Sequence, residues 1–237
     1  MPITRVTDVE GIATLLMDDG KVNALDARVF HELGAAFDAC ADDAAIVLAG
    51  REGVFSAGLN MRLLPQLDRD GLIELMVTFA RAVHRIWLEP RPVVAAATGH
   101  AIAGGTMLAM ACDHAVAAKG EFRWGLIETS IGFVVPSWVI ALARGNLRAD
   151  RLDDLILPGA AVSPEQAVEC GFADALAPPD QVVELALAKA RQLSALPRPV
   201  YAATKRRLRG EASAAALAHL ERDTADMFPQ GTAPGLR

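Results

Sequence analysis

One carboxylate in an apolar stretch and two loops of small residues are the features of this chain that could do chemistry. Glu128 stands between Gly125, Leu126 and Ile127 on one side and Ile131, Phe133, Val134 and Val135 on the other. Burial there would lift its pKa from about 4.3 toward the range of a general base near neutral pH. The competing structural role is an acid that caps the turn at Thr129 and Ser130, or that pairs with Arg123. The first loop, Val54 to Met61, carries Ser56, Ala57, Gly58 and Leu59, small enough in part for a ligand to reach the main chain. The second runs from Gly99 to Gly105 and enters a helix with no Ser, Thr, Asp or Asn before its first turn. Uncapped N–H groups at such a start favour developing negative charge, and Gly104 has no side chain to block access. A plain tight turn and close helix–strand packing are the bland alternatives. Gly53 and Gly58 are too far apart for Ser56 to be a nucleophile elbow, and neither a GxGxxG run nor a P-loop is present.

The elements that must position these groups alternate. Residues 3–8 and 12–17 have strand character, 26–39 helical spacing, and 46–48 the apolarity of a buried strand. Residues 50–60 are expected as a loop, followed by a long amphipathic helix through Leu72, Leu75, Met76, Phe79, Val83, Ile86 and Trp87. A strand at 93–97, a helix at 105–112, a strand at 114–118 and a short one at 122–124 complete an α/β pattern. After Pro136 helices are expected at 137–144, 148–156, 164–169, 181–195, 199–209 and 213–226, and a disordered tail from Pro229 to Arg237.

Composition removes several classes. The 237 residues are 52% hydrophobic, enough for a large core, and 23 basic against 29 acidic residues give a net charge of −6. Nucleic acid is therefore not an expected partner. Three cysteines, Cys40, Cys112 and Cys170, form neither a disulfide framework nor a zinc ribbon, which points to a reducing cytoplasm. No His or Cys stands at metal-ligand spacing, so no metal is expected. Residues 92–112 approach membrane-spanning length, but Thr98-Gly99-His100 and Gly104-Gly105 interrupt them, so they read as strand, loop and buried helix. No secretory signal or peroxisomal address is expected from the two ends.

Four segments in order, Val22-Asn23-Ala24-Leu25, VFSAGLNM (54–61), PVVAAATGHAIAGGTMLAMACD (92–113) and GLIETSIGFVVPSW (125–138), resemble the crotonase (enoyl-CoA hydratase/isomerase) superfamily from about residue 3 to about 209. The resemblance implies a spiral of β-β-α units in an α/β core over 1–198, a helical trimerisation region over 199–228, and a homotrimer or a dimer of trimers. It implies an acyl-CoA thioester substrate, with coenzyme A present only as part of that substrate and no separate cofactor. The thioester oxygen would sit between the N–H groups of Ala57 and Gly104, with Ala24, Leu25, Ser56, Gly58, Leu59, Gly105 and Met107 contacting the substrate. Two fixed donors in a dry pocket stabilise an enolate by about 3 to 4 kcal/mol each.

Family hydratases place a second glutamate three residues after the oxyanion glycine; that position is Met107 here, and a thioether moves no protons. Shifting a double bond from β,γ to α,β needs one carboxylate. The third segment is particularly similar to that of mitochondrial-type Δ3,Δ2-enoyl-CoA isomerases, with its Gly-Leu-x-Glu-Thr and Pro-x-Trp. Asn60 departs from the family's usual Asp. An isomerase acting through Glu128 is the expectation, with an enoyl-CoA hydratase and a non-catalytic acyl-CoA binding protein as alternatives.

Weaker candidates remain. His100 could line the acyl pocket or be structural; His31, His84, His114 and His219 show no pairing. Met76, Phe79 and Trp87 read as core with a possible share in an acyl tunnel, and Cys112 as buried and inert. Lys205-Arg206-Arg207-Leu208-Arg209 reads as a solvated helix face, with a coenzyme A phosphate contact as its functional option.

Overall fold

The computed structural model of the chain describes residues 3–227, so the tail expected at 229–237 lies outside the described residues. The hairpin of β1 (Ile3–Thr7) and β2 (Ile12–Met17) opens the chain, with Ile3 opposite Met17. It leads to α1 (Ala27–Ala39), capped by the Asp26 carboxylate accepting from the Val29 N–H. Three turns of a spiral follow. The first contains β3 (Ala45–Ala49), β4 (Gly53–Ser56) and α2 (Arg69–Trp87); the second contains β5 (Val93–Ala97), β6 (Gly99–Ile102) and α3 (Gly104–Ala111). The third contains β7 (His114–Ala118), β8 (Trp124–Gly125) and α4 (Ser137–Asn146). Within each turn one strand joins a large sheet, in which β1, β2, β3, β5 and β7 lie in that order, and the next joins a small parallel sheet of order β4-β6-β8. This is the α/β spiral that the resemblance implied. The sixth strand of the large sheet is β9 (Ala175–Ala177), reached through α5 (Leu152–Ile156) and α6 (Pro164–Cys170).

The middle strands are buried on both faces, which is why AIVLA and VVAAA carry no polar alternation. Ile46, Leu48, Val93 and Ala95 face the main core with α1, α2 and α3. Val47, Val94, Ala96 and Val116 face Val182, Ala186 and Ala190 of α7 (Val182–Ser194). The chain then runs through α8 (Arg198–Ala218) and turns at His219 into α9 (Leu220–Met227), which packs on α2 and α4.

Several expectations are corrected. The loops expected at 50–60 and 99–105 contain β4 and β6, which a glycine start and only four residues concealed. The region after Pro136 includes the strand β9, three residues long. The helices expected at 199–209 and 213–226 are one continuous helix through Gly210, broken only at His219.

The basic run is not a uniformly solvated face. Lys205 is 5% exposed, and its Nζ donates to the carbonyls of Glu89 at 2.6 Å and Arg91 at 2.8 Å and to Asp113 Oδ2 at 2.6 Å. Arg209 donates to Asp113 Oδ1 at 2.8 Å and to the Trp87 carbonyl at 3.0 Å. Both cations thus staple α8 to the end of α2 and the start of β5, and the buried Lys205 ammonium is not available to a phosphate. Burial holds the Lys205 pKa below its ordinary value, while Asp113 opposes that shift.

Two histidines expected to be unpaired have partners. His84 Nδ1 and Ser213 Oγ are hydrogen-bonded at 2.7 Å, and burial pushes the His84 pKa down to about 4. His114 Nδ1 stands 3.7 Å from Asp174. Residues 92–112 resolve into β5, β6 and α3, and among the described residues no helix is long and apolar enough to cross a membrane. The described residues also contain no group of three or more His, Cys, Asp or Glu that could hold a metal.

Candidate active site

The loop after β4 is built around a residue that the sequence left without a role. Asn23 is fully buried with φ 51°, a left-handed conformation that asparagine tolerates better than most residues. Its Nδ2 donates to the carbonyls of Met17 at 2.8 Å and Phe55 at 3.1 Å, and its own carbonyl accepts from Ser56 Oγ at 2.8 Å. Ser56 Oγ in turn accepts from the Gly58 N–H at 3.1 Å. The loop is also sewn to Leu25, whose N–H donates to Gly58 O and whose carbonyl accepts from the Asn60 N–H. These bonds fix which backbone donors remain. The Ala57 N–H donates to Val22 O at 3.0 Å, whereas the Leu59 N–H has no hydrogen-bond partner among the described residues. The open donor of this loop is therefore at Leu59, two residues beyond the expected position.

The second loop presents its donor through strain. Ala103, at φ 51° and ψ −117°, precedes α3 with no side-chain cap, and the Gly104 N–H that follows has no partner among the described residues. The two turns touch: a Cβ on Gly58 would lie 3.0 Å from Gly104 N, and one on Gly104 would lie 3.3 Å from Gly58 Cα. Gly105 is needed for a different reason, since a Cβ there would come within 2.2 Å of Ser56 O.

Glu128 is carried by β8, which pairs with β6 at Ile102 and Gly125. Three residues on, Glu128 opens a short 3-10 turn, Thr129–Ile131, closed by Gly132 at φ +85°. The side chain neither caps that turn nor forms an ion pair with Arg123. Glu128 is 9% exposed, its Oε2 has no partner, and burial pushes its pKa up to about 7. Two structural roles considered for it are thereby set aside.

Glu128 faces a cavity of about 480 Å³. Ala57, Leu59, Ala103 and Gly104 form its backbone-rich wall; Leu72, Leu75, Met76 and Phe79, one face of α2, form another. Met107, Ile127, Ile131, Phe133, Pro136 and Met227 add apolar side chains, and Glu128 is the only ionisable group among the described lining residues. Phe79 is held by stacking on Phe30, with ring centroids 4.7 Å apart, and by an edge contact to Trp138.

Of the expected site residues, Ala57, Leu59, Gly104, Met107 and Glu128 line this cavity. Leu25, Ser56, Gly58 and Gly105 lie behind its wall and shape it, and Ala24 is bound through its N–H to Asp19. Leu25 instead borders a neighbouring cavity of about 470 Å³ with Asp26, Arg28 and Asn60. Met76 and Phe79 reach the cavity, and Trp87 does not. His100 is outside it, accepting from the Arg123 N–H at 3.1 Å and meeting Phe122 edge-on. Met227 was missed; only the apolar spacing of the last helix hinted at it.

Two unpartnered N–H groups beside a carboxylate of raised pKa, in an apolar chamber, suit removal of a proton next to a carbonyl whose oxygen becomes negative. The family model described as enoyl-CoA hydratase/isomerase matches residues 7–233, and the chain belongs to this family. The solved enoyl-CoA isomerase of Mycobacterium tuberculosis superposes with a TM-score of 0.89 at 31% identity, covering 96% of this chain and 99% of that one. A Mycobacterium avium protein named as an enoyl-CoA hydratase is 33% identical over 199 residues, 82% of this chain and 77% of its own length. A Thermus thermophilus protein named likewise is 36% identical over 153 residues, 63% of this chain; the chain spans 60% of that protein's length.

Proposed function

We propose that this protein isomerises 3-enoyl-CoA thioesters to 2-enoyl-CoA thioesters with Glu128 as the sole proton carrier. The observation that carries this reading is the cavity lining, in which Glu128 is the only ionisable side chain among the described residues and Met107, the position that the resemblance gives to a second glutamate in hydratases, is an apolar thioether. In the proposed reaction the thioester oxygen rests between the N–H groups of Leu59 and Gly104. The Glu128 carboxylate takes a proton from C2, the electron pair spreads over the dienolate onto that oxygen, and the same proton returns to C4 as the double bond moves to C2–C3. Leu59 replaces Ala57 as the first donor because the Ala57 N–H is already bonded to Val22 O. No cofactor enters apart from the coenzyme A of the substrate.

Hydration is the second reading, favoured by relatives named as hydratases. Against it stands Met107, which cannot activate water. A binding protein without catalysis would have no use for a carboxylate held at high pKa in its ligand chamber.

Offering 3-enoyl-CoA and 2-enoyl-CoA to one purified sample tests the proposal. Isomerisation is expected to exceed hydration by about tenfold or more in kcat/KM, about 1.4 kcal/mol in barrier. Equal rates, or faster hydration, would replace this reading by the second.

The same reading includes a homotrimer or a dimer of trimers. Leu185, Leu196, Val200 and Leu208, exposed on or beside α7 and α8, supply apolar surface that association would cover. Three free, buried cysteines support a reducing, cytoplasmic setting.

A further inference from the structure

Ala103 holds a conformation that a residue with a side chain adopts only under constraint, and no side chain caps the helix it begins. That arrangement leaves the Gly104 N–H open, so something other than a cap must hold the turn. One hydroxyl is placed to do so. Thr106, fully buried in the first turn of α3, donates to the Ala101 carbonyl at 2.6 Å, with the Gly125 carbonyl 3.1 Å away. The same oxygen accepts from the Gly125 N–H at 3.1 Å, and the Ala103 N–H donates to the Gly125 carbonyl at 2.8 Å. A single side chain therefore ties together the strand entering the strained turn, the helix leaving it, and the segment that reaches Glu128 three residues later.

We propose that Thr106 is a positioning residue whose hydroxyl fixes the Gly104 N–H relative to the Glu128 carboxylate. The proposal rests on the reading of those two groups as oxyanion donor and base. Thr106 does not line the cavity, so its effect must pass through the backbone of residues 101–104 and 125–128. Shape alone would not suffice, because valine fills the same volume and can make none of these bonds.

Two variants and two measurements test this. Thr106→Val is expected to lower kcat for isomerisation by between about 10- and 100-fold, the cost of misplacing a reacting pair by a fraction of an ångström to one ångström. KM should change by less than about threefold, since most contacts to the substrate survive. Thr106→Ser, which keeps the hydroxyl, should restore most of the loss. Infrared spectra of a bound saturated acyl-CoA, labelled with carbon-13 at the thioester carbonyl, give a readout without turnover. The carbonyl band should move to lower frequency in the parent protein, move back toward its aqueous position in Thr106→Val, and return in Thr106→Ser. Thr106→Ala carries the same expectation if the valine variant does not fold. A valine or alanine variant with parental kcat and an unmoved band would overturn the proposal, as would a serine variant as impaired as valine. A parent that polarises the carbonyl but does not isomerise would count against the proposed reaction, while the variants' band positions would still decide the role of Thr106.

Discussion

Glu128→Gln is expected to lower kcat for 3-enoyl-CoA isomerisation by about 10² to 10⁴, the worth of a positioned general base. Glutamine keeps the side chain's length and volume but cannot accept a proton in the relevant range. The chamber around it is formed by residues that the substitution does not touch, so affinity for a non-reactive acyl-CoA should stay within about threefold of the parent. Isothermal titration beside steady-state kinetics separates the two effects. Stability carries a second signature. The folded Glu128 pKa is raised, to about 7 from 4.5, so between those values the folded protein holds a proton that the unfolded chain has released. Stability therefore falls as pH rises through this window, and the penalty is complete above it. Glutamine removes this dependence, so the variant should lose less stability than the parent between pH 5 and pH 8. Turnover within about threefold of the parent would be far too small a loss for the only base and would sink the mechanism.

Gly104→Ala should impair binding and chemistry together, lowering kcat/KM by about 10² or more, the scale of losing one oxyanion donor. Its Cβ would lie 2.9 Å from Phe79 Cζ, 3.1 Å from Leu25 Cδ1 and 3.3 Å from Gly58 Cα. Phe79 cannot retreat easily, being stacked on Phe30 and set against Trp138. The strain therefore passes to Gly58, whose neighbour Leu59 supplies the other open N–H. A methyl group here narrows the chamber and disturbs both donors at once, in contrast to the selective effect of Glu128→Gln. Parallel kinetics and acyl-CoA titration of the two variants should give a loss of affinity only for Gly104→Ala. Unchanged kcat/KM in that variant would remove Gly104 from the proposed oxyanion site.

The contrast between legible and illegible features follows from the range of the interactions. Glu128 in its apolar run, the glycine-rich turns and the uncapped start of α3 are local signals, and each lies where the sequence pointed. The donor at Leu59 is not local: it is decided by Val22 O, 35 positions before Ala57, which consumes the Ala57 N–H and leaves the later one open. Lys205 is a similar case. Its neighbours in sequence are Arg206 and Arg207, both exposed, but its partner Asp113 is 92 residues away, and only the fold reveals that the cation is buried. The short strands β4, β6 and β9 offered three or four residues each, too few for a period to emerge. Asn23 stood in view within a family motif, yet its role as the hub of the first loop depends on carbonyls 6 and 32 residues away.

In the proposed reaction one buried carboxylate, in its ionised form, carries the proton. The pH dependence of kcat/KM for 3-enoyl-CoA tests it most directly, because that ratio reports ionisations of the free enzyme. Glu128 must be deprotonated to accept the C2 proton, and burial pushes its pKa up to about 7. The rate should therefore rise with pH along a single ionisation with its midpoint near that value, and Glu128→Gln should abolish the step. A midpoint near the ordinary glutamate value, or a bell shaped by two interacting carboxylates, would contradict the claim.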